Sequence, residues 1–302
     1  MKDTIKPYIK KIIKKYEEIT TKSLKYENLS RNILLRCKHH IVKVTLNNQT
    51  YFFYVSIKDI NKPTVVFSNA AYNMDQSTPP FFMRKSWNKE LDYNCIYIDD
   101  LTVHNNELNV GWGIGNKTHH FLKDYSSIIK KITRELNISD EKVFYFGSSA
   151  GGYMSIQLAT LHSNSTAIVN NPQTDVFRYY PNTIKKLCDT IFPQADSYEI
   201  YEKYKERLSL VESFRINDNI PRIFLLQNSK CKNDMEMHME PFITEIKDMK
   251  NKNNIKFLFY NRKNDGHNSL EKETTLNIVN LIIDRKIDEL SKYINNNIND
   301  KD

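Results

Sequence analysis

A serine with glycine two residues away on either side, Gly147-Ser148-Ser149-Ala150-Gly151, follows the apolar run Val143-Phe144-Tyr145-Phe146 and precedes Gly152 and a helical run from Tyr153 to Leu161. This is G-x-S-x-G set between a strand and a helix. A nucleophile held on so sharp a turn takes a strained backbone conformation, and strand and helix approach so closely that only glycine fits beside it. Gly147 and Gly151 meet that requirement. The helix start also aims free N–H groups at a developing oxyanion, with the N–H of Ala150 as the first expected donor. A phosphate-cradling loop could share the spacing, but no P-loop lysine follows. The chemistry expected is attack of Ser149 on an acyl group.

An activated serine needs a base, and where G-x-S-x-G sits in this setting the chain order is serine, acid, histidine. Only His162, His238 and His267 follow Ser149. His162 lies further along the same helix, about 20 Å away at the helical rise, and is excluded. His267 follows the strand-like run IKFLFY in the loop NRKNDGHNSL, and loops at the carboxyl ends of parallel strands gather at one site. It is the expected base. Asp234 falls in the loop after RIFLL, the preceding strand, and is the expected acid, with Asp175 as rival and Glu236 or Asp265 as local substitutes. A second oxyanion donor is expected from Asn69 or Ala70, in the small-residue loop after the strand TVVFS. His238 is a candidate substrate-binding residue or a helix cap. Trp112, in LNVGWGIG, is a candidate substrate contact or core residue.

Elements that could position these residues alternate along the chain. The runs IVKVTL (41 to 46) and TYFFYVSI (50 to 57) suit an antiparallel hairpin. From Thr64 short apolar strands alternate with helices: TVVFS, CIYI, a helix near 120 to 136, KVFYF, a helix after the glycines, TAIVN, RIFLL, a helix near 236 to 250, IKFLFY, and a last helix from about 271 to 294. That rhythm implies a mainly parallel sheet with helices on both faces. Residues 171–219, with helical patches, read as a cap or lid. Ile5, Ile9, Ile12, Ile13, Tyr16 and Ile19 recur at helical spacing among lysines, giving an amphipathic basic helix over residues 1–25 that could dock on the core, a partner or a membrane surface. Residues 26–294 would form the main domain, and the polar tail 295–302 is expected to fray.

Composition narrows the class. A chain of 302 residues, 40% hydrophobic and 12% aromatic, can bury one sizeable core. No apolar run reaches the roughly 18 residues needed to cross a bilayer, and the charged N-terminus lacks a secretory pattern, so a cytoplasmic place is expected. The four cysteines are widely spaced and form no zinc or redox pair, so no metal and no bound cofactor is expected. The net charge of +8 is spread along the chain without a nucleic-acid-binding signature, which reads as a solvated basic surface.

The G-x-S-x-G elbow, the acid loop with Pro241-Phe242 after it, and the Gly266-His267 pair together resemble α/β-hydrolase-like proteins of bacterial surface-polysaccharide loci, over roughly Thr64 to Ile283. That group includes capsule O-acetyltransferases and the glycan O-acetyltransferase of accessory secretion systems. The resemblance implies an α/β-hydrolase fold, places nucleophile, acid and base on Ser149, Asp234 and His267, and points to use of Asn171-Pro172-Gln173-Thr174 and Trp112 near the site. It implies acetyl-CoA or another acylated small molecule as donor and a glycan acceptor. Transfer to water would instead make an esterase or deacetylase, and a retained fold without catalysis would be a binding module in a glycan-assembly complex.

Overall fold

The computed structural model describes residues 21–36, 39–75 and 78–300. Nine strands form one sheet: β1 (Lys22–Lys25), β2 (His40–Leu46), β3 (Gln49–Ser56), β4 (Thr64–Phe67), β5 (Asn94–Ile98), β6 (Val143–Ser148), β7 (Thr166–Asn170), β8 (Arg222–Asn228) and β9 (Ile255–Tyr260). Their order is β1-β2-β3-β5-β4-β6-β7-β8-β9. Only β3 runs against its neighbours; every other adjacent pair is parallel. The expected leading hairpin is β2–β3, closed by Asn47 and Asn48, both at positive φ as a tight right-twisting turn requires. Residues 1–20 of the expected N-terminal helix lie outside the described residues, and residues 22–25 are not helical but pair as β1 with Val42 to Thr45. KSLK carries no β pattern of its own, so that strand owes its existence to the open edge of β2.

The helices are α1 (Arg31–Arg36), α2 (Phe121–Glu135), α3 (Ala150–Leu161), α4 (Pro181–Ile191), α5 (Ser197–Tyr204), α6 (Leu210–Asn217), α7 (Glu240–Ile246), α8 (Lys272–Ile283) and α9 (Ile287–Asn297). Two apolar clusters lie on opposite faces of the sheet. Val143 and Tyr145 of β6 face one, with α2, α3 and α6; Phe144 and Phe146 face the other, with α8 and α9. A strand buried on both faces needs no alternation, which is why VFYF is apolar throughout. This is an α/β-hydrolase fold.

Three expectations change. The single last helix is broken at Arg285, which takes a left-handed conformation, so that α9 folds back beside α8 and against β9. The tail is ordered through Asp300: Ile298 is buried, and Asp300 accepts from the N–H of Lys263 at 2.7 Å. Apolar Ile294 and Ile298, four residues apart in a polar sequence, are enough to dock it. Finally, α6, part of the expected 171–219 insertion, packs on α3 as the crossover between β7 and β8, with Phe214 buried.

Candidate active site

Ser149 follows β6 and caps α3 with φ 55 and ψ −127, a region an L-residue enters at a cost of about 1–3 kcal/mol. The glycines permit it. A Cβ on Gly147 would lie 2.2 Å from the carbonyl oxygen of Gly151, and one on Gly151 would lie 2.8 Å from that of Ser68 and 2.9 Å from that of Asn69. The second contact brings the loop after β4 against the first turn of α3. Among the described residues, the backbone N–H groups of Asn69, Ala70 and Ala150 donate to no protein acceptor. The Asn69 side chain holds the same loop, accepting from the N–H of Met83 at 2.9 Å and donating to the carbonyl of Phe81 at 2.5 Å.

The structure brings three distant residues into line. Ser149 Oγ lies 2.8 Å from His267 Nε2, and His267 Nδ1 lies 2.7 Å from Asp234 Oδ2. A carboxylate only accepts, so Nδ1 carries the proton and Nε2 presents its lone pair to the serine hydroxyl. Asp234 is buried, while the His267 side chain is 38% exposed at the surface a substrate would reach. The rival acids are committed elsewhere. Asp175 accepts from the N–H of Phe177 and the hydroxyl of Tyr201, Glu236 faces Lys232, and Asp265 faces Arg262. His162 bonds the Tyr145 hydroxyl at 2.8 Å and Asp140 at 2.9 Å, far along α3.

Asparagines at the strand ends hold the histidine loop. Asn228 Nδ2 donates to the carbonyls of Arg262 (2.8 Å) and Gly266 (2.9 Å), and its Oδ1 accepts from the N–H of Arg262 at 3.1 Å. Asn171 Nδ2 donates to the carbonyls of His267 (3.3 Å) and Asn268 (3.0 Å). Asn170 Oδ1 accepts from the N–H of Leu270 at 2.8 Å. All three asparagines are buried, where such bonds are strongest and unmade ones cost most.

Gln173 is a second side-chain contact on the serine hydroxyl, its Nε2 donating to Ser149 Oγ at 2.8 Å. Its orientation is dictated from behind. The indole Nε1 of Trp112 can only donate and meets Gln173 Oε1 at 3.1 Å, which leaves the amide nitrogen toward the serine. Trp112 is fully buried, so it serves the site through Gln173 instead of contacting substrate. His238 likewise is 3% exposed and cannot be a substrate contact in this state. Its Nδ1 accepts from the N–H of Thr174 at 3.4 Å and its carbonyl from the Thr174 hydroxyl at 3.0 Å, propping the segment that carries Gln173. Burial holds the His238 imidazole down to about 4, against the pull of the Asp234 charge.

Arg84 was not anticipated. It donates from Nη2 to Ser148 Oγ at 2.7 Å, beside the rings of Trp87 and Phe146, and burial lowers its pKa to about 10. Its guanidinium is a desolvated positive charge bonded to the residue that precedes Ser149 in the chain. Its position in a loop between β4 and β5 carries no sequence signature.

The sequence profile of the prolyl oligopeptidase family matches residues 110–284, more than half of the chain. No curated protein sequence matches. The fold is similar to that of the capsule O-acetyltransferase of Neisseria meningitidis serogroup A, at TM-score 0.61 and 15% identity, covering 80% of this chain and 94% of that one. A mutant of the same enzyme in complex with CoA gives TM-score 0.62 at 15% identity and the same coverage. The dipeptidyl peptidase 4 of Porphyromonas gingivalis gives 0.54 at 12% identity, covering 82% of this chain but only 35% of that one.

Two expectations follow. Replacing Gln173 by Leu keeps the bulk and removes the donor, so the rate of ester cleavage should fall about tenfold, or ~1.4 kcal/mol, with KM nearly unchanged. An unchanged rate would show that the amide does not position the serine. For His238, the unfolded imidazole titrates near about 6.5 and the folded one lower, so its stabilising effect is complete above that value and is lost as pH falls. The stability gap between the native chain and His238→Gln, from urea midpoints, should therefore shrink between about pH 7.5 and about pH 4.5. A constant gap would contradict it.

Proposed function

The chain belongs to the prolyl oligopeptidase family of α/β-hydrolase-type enzymes, and on that premise we propose that Ser149 forms an acyl-enzyme and passes an acetyl group to a glycan hydroxyl. The observation that carries this reading is the unbroken line Asp234–His267–Ser149 at 2.7 and 2.8 Å. His267 Nε2 takes the serine proton as Oγ attacks the acyl carbonyl. Asp234 steadies the imidazolium, and the N–H groups of Ala150 and of Asn69 or Ala70 receive the oxyanion. Collapse of the tetrahedral adduct expels the donor's leaving group, which takes the proton from His267. The acceptor hydroxyl then gives its proton to His267 as its oxygen attacks the acyl-serine, and that proton returns to Ser149 Oγ.

Acetyl transfer is favoured over peptide cleavage because this chain spans nearly all of the capsule O-acetyltransferase but about a third of the dipeptidyl peptidase. An acyl-CoA donor agrees with the CoA complex of that same neighbour. Among the described residues no helix is long and apolar enough to cross a membrane. Water in place of the sugar hydroxyl would give an esterase on the same site.

A fluorophosphonate probe should label the protein once, at Ser149, with labelling abolished in Ser149→Ala and reduced at least about a hundredfold in His267→Ala, the range of a lost general base. Absence of labelling in the native chain would leave a binding module. Supplying acetyl-CoA with surface polysaccharides and comparing glycan acetylation with free acetate separates transferase from esterase.

A further inference from the structure

A second concentration of charge lies away from the triad. A cavity of about 210 Å³ is lined by Lys117, Lys123, Lys203 and Arg207, with His120 and a single carboxylate, Glu206. That carboxylate is already engaged, accepting from Lys123 at 2.8 Å and from Asn217 Nδ2 at 3.4 Å. Arg207 is 4% exposed, and its guanidinium lies 4.3 Å from the ring centre of Tyr204. It donates to the carbonyls of Ile114 (2.8 Å) and His119 (2.6 Å), and no carboxylate pairs with it among the described residues. Carbonyl oxygens take the Nη1 hydrogens, and the one carboxylate of the lining, Glu206, is shared with Lys123 and Asn217, so the cluster keeps an excess of positive charge that draws an anion. His120 Nε2 is buried without a hydrogen-bond partner. The ring sits at the N-cap of α2, whose free N–H groups add positive potential.

The cavity opens on the catalytic side of the sheet. Helix α2 joins the carboxyl end of β5 to the amino end of β6, so its first turn stands where the strands end, as Ser149 does. The wall is shared. Ile114, which accepts from Arg207, is two residues from Trp112, whose indole reaches Ser149 through Gln173.

We propose that this basic cavity receives the phosphates of an acyl-CoA donor, fixing the donor at one end while its thioester reaches Ser149. The proposal rests on the acyl-transfer reading above. Four cations against one engaged carboxylate suit a multiply charged group with several acceptor oxygens, and a lone carboxylate would leave most of that charge unmatched. A neutral acyl ester has nothing to place there.

Calorimetric titration of the full chain with CoA, 3′-dephospho-CoA and inorganic pyrophosphate tests this, with the Lys117→Glu/Lys123→Glu variant in parallel. CoA should bind the native chain, the variant should weaken it at least about tenfold, and added salt should weaken it further. Dephospho-CoA should bind less tightly than CoA. Fluorophosphonate labelling of Ser149 should be unchanged in the variant, because neither lysine touches the triad. Equal CoA affinity in a normally labelled variant overturns the proposal and leaves the nucleophile standing. Binding of pyrophosphate but not of CoA, or lysine-dependent binding only of a phosphodiester-linked glycan, overturns the donor assignment. Loss of labelling in the native chain defeats the acyl-transfer reading instead. Lys203→Glu, at an exposed position, supplies the same comparison should the double variant fail to fold.

Discussion

The site depends on one backbone conformation. Ser149 stands at φ 55 with a full side chain, in a region where only a surrounding structure that over-determines it keeps a residue. The restraints are visible. Its N–H donates to the carbonyl of Asn170 at 3.2 Å, and its own carbonyl accepts from Tyr153 at 3.1 Å and Gln173 at 3.3 Å. Gly147 and Gly151 are the complement, since any side chain at either would collide with backbone. The strain lifts a hydroxyl clear of both β6 and α3, and the rest of the site is arranged to meet it.

What meets it is stiff. The histidine loop hangs from buried asparagines at the ends of β7 and β8, so the imidazole is positioned by the sheet even though it sits on a loop. Gln173 is held in the same way by Trp112, and its segment by His238. These supports lie on the side of the serine away from solvent, where a hydrogen bond costs little to keep and much to break. The hydrogen-bonded line Asp234–His267–Ser149 is thus built from parts of chain far apart in sequence but adjacent in the parallel sheet.

Much of this could be read from the residues, for identifiable reasons. The elbow announces itself because its steric demand selects glycine at two fixed spacings. His267 and Asp234 are found by counting strands, since parallel strands deliver their following loops to one end. For Trp112 the sequence leaves substrate contact and core packing open, and for His238 substrate contact and helix cap, because residue type shows chemistry and not burial; the fold buries both, Trp112 against Gln173 and His238 against Thr174. Asn228 and Arg84 have no spacing to betray them, for their partners, the histidine loop and Ser148 at the end of β6, are distant in sequence. The same limit hid β1, whose residues have no β pattern, and the docked tail, whose two isoleucines are outnumbered by polar neighbours.

The central claim is that Ser149 becomes acylated. The most direct measurement is intact-mass analysis and peptide mapping of the protein quenched during turnover of an activated acetyl ester, under conditions that slow deacylation. The account predicts one acetyl group, on the peptide carrying Ser149, absent when that residue is alanine. Acetylation confined to lysines, or turnover with Ser149 never modified, would contradict it.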